Sequence, residues 1–138
     1  MKTLKLKSGL RASVMAAVAC MVFTGANAQV IAPELAAELA LRAPADEVQV
    51  IVYLSARVDH RLYRQTDRSK RDTRLVRALK ENAATTQASH RVFLQNKGAR
   101  RLRELWAING IAVSASASVI RQLAARPGIA SIRLDALL

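Results

Sequence analysis

Two histidines, His60 and His90, are the side chains best suited to proton transfer or metal binding near neutral pH. His60 stands in a polar stretch with Asp59, Arg61 and Arg64. His90 falls on an apolar helical stripe, the usual setting of a structural histidine. Neither has cysteines or carboxylates at ligand spacing, so no metal is expected. Serines are plentiful, but none sits in a nucleophile-elbow pattern. The five glycines are scattered and form no phosphate cradle. Asp46 and Glu47 open an apolar run, which suits the start of a strand better than a catalytic pair. The expectation is a chain without catalytic residues or cofactor, whose function is binding.

The lone cysteine, Cys20, lies in an N-terminal leader. Lys2, Lys5, Lys7 and Arg11 precede an apolar stretch from Ser13 to Phe23, and Ala26-Asn27-Ala28 follows before Gln29. That order is a secretory signal with cleavage between Ala28 and Gln29. The apolar stretch falls short of the ~20 residues that span a bilayer, so no stable membrane anchor is expected. A secreted or periplasmic protein of residues 29–138 would have no disulfide. One modest core is then expected, in a monomer when free.

The whole chain carries +12. Its 22 Lys and Arg, less the four of the leader, leave 18 against 10 Asp and Glu, a net +8. Such a balance suits nucleic acid, anionic lipid or an acidic protein. Aromatics are only 4%, too few for a base-stacking platform, so no specific nucleic acid is expected.

The elements follow from periodicity. Pro33 to Leu41 reads as a short helix, and residues 29–45 as an arm outside the core. Glu47 to Leu54 alternates as a strand, with Val48, Val50, Val52 and Leu54 on one face and Gln49, Ile51 and Tyr53 on the other. A long helix is predicted from Ser69 to Lys97, with Ser69 and Asp72 as a capping box. Its stripe is Leu75, Leu79, Ala83, Thr86, His90, Phe93 or Leu94, and Lys97. At ~1.5 Å per residue it is long for a small domain, so its first turns should overhang. Gly98 suits the position just past its end. Leu102 to Ile108 and Ile111 to Ala115 read as strands joined by Asn109-Gly110 in a two-residue type I′ turn. Ser116 or Ser118 caps a helix buried through Val119, Ile120, Leu123 and Ala124, and Arg126-Pro127-Gly128 stops it. Ile129 to Leu134 is the last strand.

Strand, helix, strand, strand, helix, strand is the order of a ferredoxin-like β-α-β-β-α-β sandwich of the α+β class. It predicts a four-stranded antiparallel sheet with two helices on one face, spanning residues 46–138. The other face stays open, and either Val48, Val50 and Val52 or Ile51 and Tyr53 must lie on it. An apolar patch there would mark a partner site.

Three stretches carry a family resemblance. They are Val50-Ile51-Val52-Tyr53-Leu54, then Leu105-Trp106-Ala107-Ile108-Asn109-Gly110-Ile111-Ala112-Val113, then the run from Val119 through Arg126-Pro127-Gly128 to Ile132, with Gln87 in the helix between the first two. Together, over Asp46 to Asp135, they resemble the propeptide of subtilisin-like serine proteases, a family whose free-standing members are protease inhibitors. The resemblance implies an inhibitor and/or folding chaperone of a subtilisin-like serine protease. It implies docking by the open sheet, through outward side chains of the first strand and around Trp106, Ile108, Asn109, Gly110, Ile111 and Val113. It also implies that Leu134, Asp135, Ala136, Leu137 and Leu138 enter the protease cleft as a product mimic, with Leu138 at the specificity pocket.

In a protease precursor a catalytic domain would follow Asp135. Here three residues follow, so the expectation is a separate inhibitor, with a truncated precursor as the alternative. A second alternative is a basic periplasmic or secreted module that binds polyanions through the arginines between Arg61 and Arg77.

Overall fold

The computed structural model describes residues 30–64 and 67–135. The leader, with the Ala28–Gln29 cleavage position, and the tail residues Ala136, Leu137 and Leu138 lie outside the described residues. The described elements are α1 (Pro33–Leu41), β1 (Glu47–Leu54), α2 (Arg68–Asn96), β2 (Arg100–Leu105), β3 (Gly110–Ser116), α3 (Ala117–Ala124) and β4 (Ile129–Leu134). The strands form one antiparallel sheet in the order β2-β3-β1-β4. Two β-α-β units interleave in this way in a ferredoxin-like α+β sandwich, the class expected from the order of elements.

The alternation of β1 decides which face meets the helices. Val48, Val50, Val52 and Leu54 are buried, paired across the sheet with Ala115, Val113 and Ile111 of β3 and with Ile132 and Ile129 of β4. They pack under Leu94 of α2 and under Val119, Ile120 and Leu123 of α3. The Ser116 hydroxyl accepts from the Val119 amide and caps α3. Gly98 and Gly128 take the left-handed conformation, φ +73° and +84°, one after each of these helices.

The long helix differs in detail from its predicted stripe. Its fully buried residues are Ala83, Gln87, His90 and Leu94, so the stripe passes through Gln87 rather than Thr86. None lies in the first half of the helix, where Leu75 and Leu79 are only half-buried. No side chain caps it. The N-cap is Asp67, and Ser69 is already inside the helix, so no capping box forms.

Two further expectations are corrected. The arm is part of the core: Leu35 and Leu39 of α1 are buried in the same cluster. Arg121 of α3 donates to the Leu39 carbonyl oxygen at 2.7 Å. Ile31 bridges Ile132 in parallel, so residues 30–32 cover the outer edge of β4. Three helices, not two, therefore lie on one side.

The link between β2 and β3 is not a two-residue turn. Residues Trp106–Ile108 form a 3-10 turn that ends on Asn109 in the left-handed conformation, φ 47° and ψ 61°. Gly110 is already the first residue of β3 and has no positive φ. A Cβ there would meet the Val52 carbonyl oxygen at 2.9 Å, so glycine is required by close strand approach. β2 accordingly starts and ends earlier than expected, at Arg100 and Leu105.

Candidate functional site

Among the described residues no helix lies on the second sheet face, and the site is built there. Register places Gln49, Ile51 and Tyr53 of β1 on it, opposite Ser114, Ala112 and Gly110 of β3. Arg133 and Ser131 of β4 stand opposite Ile51 and Tyr53. Arg100, Arg103 and Leu105 of β2 stand opposite Ser114, Ala112 and Gly110. Of the two sets that could have filled this face, it is Ile51 and Tyr53, both half-buried, that do. The Arg133 guanidinium lies 5.8 Å from the centre of the Tyr53 ring.

The face mixes apolar and basic side chains: Ile51, Tyr53 and Leu105 are its large apolar members, with Arg133 opposite Ile51 and Arg103 in the same row across Ala112. The row through Gln49 and Ser114 is polar and basic. The register of β2 shifts between Arg100 and Arg103, and within that bulge Arg101 has φ 52°. For a residue with a Cβ this conformation costs about 1–2 kcal/mol. Its consequence is that the Arg101 side chain joins those of Arg100 and Arg103 over Gln49 and Ser114. Two adjoining hollows of about 230 and 320 Å³ form, and both are lined by Gln49, Arg101 and Ser114. Arg103, Ala112, Val113 and Asp135 complete the first, and Arg100 and Glu47 the second. Arg100 Nε lies 3.5 Å from Glu47 Oε1, with both side chains well exposed.

Of the expected docking residues, register places only Gly110 on this face, and it has no side chain to offer. Ile111 and Val113 point into the helix-covered core and are 0% and 3% exposed. Gly110 is buried under the Val52 carbonyl. The Asn109 side chain is also buried, where it accepts from Gln87 Nε2 at 3.1 Å and donates to the Ala56 carbonyl oxygen at 2.7 Å and to the Thr86 hydroxyl at 3.0 Å. Only Trp106 and Ile108 reach solvent, 37% and 49% exposed. The Trp106 ring lies 5.3 Å from the Lys80 ammonium on α2. Ile108 lines a cavity of about 370 Å³ with Tyr53, Arg57, His60, Leu79 and Asn82 at the end of the sheet. The physical reason is parity: a one-residue step along a strand reverses the face. Ile111 and Val113 are the large apolar members of β3, whereas Ala112 and Ser114 are its outward members.

Of the expected cleft segment, Leu134 is half-buried against the core. The Asp135 amide donates to the Gln49 carbonyl oxygen at 3.0 Å, so the chain is still extended beside β1 at its last described residue. The arginines at 100, 101, 103 and 133 are what the sequence reading missed. For Arg133 the signal was available in the alternation of β4, where Ile132 is the buried neighbour, whereas the bulge that turns Arg101 outward leaves none.

His90 is buried, and burial holds its pKa below the ordinary histidine value, helped by the Arg126 guanidinium. His60 stands in an exposed 3-10 turn, His60–Tyr63. No group of three His, Cys, Asp or Glu side chains among the described residues could hold a metal ion. No helix among them is long and apolar enough to cross a membrane. Comparison of the chain with known protein families, with curated proteins and with solved structures finds no match.

Proposed function

We propose that this chain is an exported ligand of a subtilisin-like serine protease, acting as inhibitor and/or folding chaperone rather than as an enzyme. In this reading the leader is removed after Ala28, the open sheet face lies on the protease, and the segment after Leu134 runs into the active-site cleft as a product mimic. Extended backbone adds a strand to the cleft, and alternate side chains fill its pockets.

The observation that supports it best is the sheet face on which no helix lies among the described residues. A four-stranded sheet of about a hundred residues normally hides its second face or keeps it wholly polar. Here Ile51, Tyr53 and Leu105 lie on that face. The chain leaves β4 extended along β1 through the Asp135 amide. The sequence resemblance adds the class of partner.

The test is to mix the purified chain with a panel of subtilisin-like serine proteases. Peptide hydrolysis and survival of the chain are followed together. The expected result is competitive loss of activity for at least one protease. An inhibitor persists, whereas a folding chaperone inhibits and is then digested. Truncation after Asp135 should weaken inhibition about tenfold or more while leaving the unfolding midpoint in place, because the last described main-chain bond to β1 is kept. No inhibition across the panel overturns the reading.

The arginines of the face favour a second reading, a module for polyanions. Tyr53 is the aromatic residue that register places on that face, and one ring is a thin platform for stacking bases.

A further inference from the structure

We infer that the hollows beside β2 form a carboxylate-binding trough, and that the protein partner meets this sheet with an acidic surface. The inference rests on the protease reading for the class of partner and adds the chemistry of the contact.

Three guanidinium groups, of Arg100, Arg101 and Arg103, stand along one wall. Gln49 and Ser114 line both hollows beneath them, while Asp135 also lines one and Glu47 the other, with Glu47 Oε1 3.5 Å from Arg100 Nε. An unbulged strand would send Arg101 to the opposite face from Arg100. The bulge and the left-handed backbone of Arg101 bring it to the same side. Bulges commonly re-aim a side chain in this way. Charge on an edge strand also discourages edge-to-edge pairing. That role does not need a strained residue that doubles the cations over one hollow. Guanidinium groups match carboxylates two bonds at a time, which suits Asp and Glu side chains of a protein surface. Ile51, Tyr53 and Leu105 stand on the same face, and arginine beside aromatic and aliphatic residues is the composition of a protein interface. A nucleic acid would meet Arg133 and the β2 arginines but find Tyr53 alone for stacking.

The test uses the full chain and two probes. The first is a protease that the chain inhibits in the panel above. Arg101→Glu with Arg103→Glu should raise the inhibition constant about tenfold or more. Raising salt from about 50 to about 300 mM should weaken the wild type and hardly move the double variant. Arg101→Gly keeps the positive-φ backbone and removes one cation, so it should show part of the same loss with the fold intact. Arg74→Glu with Arg77→Glu, on the exposed first half of α2, should change little. No loss from the β2 variants, or equal loss from the α2 pair, overturns the trough while leaving inhibition and the protease reading standing.

The second probe is a fluorescent glutamate-rich peptide followed by anisotropy, which needs no protease. Binding that the β2 double variant loses and the α2 pair keeps supports the trough even where the panel shows no inhibition and the protease reading has failed. Absence of peptide binding, or tighter binding of a single-stranded oligonucleotide at equal ionic strength, overturns it.

Discussion

The Asn109 side-chain amide donates to the Ala56 carbonyl oxygen at 2.7 Å, which ties the β2–β3 connection to the loop that leaves β1. The same side chain accepts from Gln87 of α2, so one residue pins three elements. Asn109→Ala should cost about 2–4 kcal/mol, because buried partners lose their bonds and alanine tolerates the left-handed backbone less well than asparagine. Asn109→Gly loses the same bonds but keeps the conformation, and should cost about 1 kcal/mol less. Urea unfolding of the two variants measures the difference. Equal losses would mean that backbone strain contributes nothing at this position.

Gly110 and Gly98 should respond to alanine for different reasons. At Gly110 the new methyl would sit 2.9 Å from the Val52 carbonyl oxygen, and neither strand can retreat without breaking the β1–β3 ladder. A loss of about 1–3 kcal/mol is expected, as for overpacking elsewhere. At Gly98 nothing lies within 4 Å, but φ is +73°, so only the left-handed conformation resists, by about 1–2 kcal/mol. Asparagine should rescue Gly98 and not Gly110. Thermal melts of the four variants check this.

Helix α1 supplies the clearest test of whether the arm belongs to the fold. Leu35 is fully buried and Leu41, on the same helix, is 85% exposed. Leu35→Ala should cost about 2–5 kcal/mol, whereas Leu41→Ala should stay within about 0.5 kcal/mol of the wild type. If both were neutral in urea unfolding, α1 would be packed on the surface rather than into the core.

Much of the fold was legible because its cues are local. The alternation of Glu47 to Leu54 and the run Ile129 to Leu134 place β1 and β4 at their observed bounds. The helical stripe and Gly98 place α2 within one residue at either end. Where the reading failed, the deciding partner was distant in the chain. An Asn-Gly pair satisfies a type I′ turn, but it equally satisfies a 3-10 turn ending on a left-handed Asn. The buried contacts with Gln87, Thr86 and Ala56 go with the second arrangement. That difference moved β2 by a few residues and hid the arginines of the open face. The Leu35 and Leu39 pair was visible as one helical stripe, but the edge of β4 that receives it was not. The bulge at Arg101 has no composition cue, since arginine disfavours its conformation.

His90 gives the fold a defined response to acid. Its side chain is buried, and Nδ1 has no hydrogen-bond partner among the described residues. Burial first, and the Arg126 guanidinium second, hold the folded-state pKa below the ordinary value. The unfolded chain, with a histidine pKa of about 6.5, therefore binds the proton more tightly than the folded one. Stability is complete above about pH 6.5 and declines as pH falls from there through the folded value, below which this contribution is lost. The urea midpoint should accordingly drop between neutral pH and the lower end of that window. In His90→Gln, which stays neutral throughout, the midpoint should be lower at neutral pH but its slope over the same window should flatten. A variant that kept the wild-type slope would assign the acid response to other groups. A wild type without a slope would mean that the imidazole reaches water in the folded state.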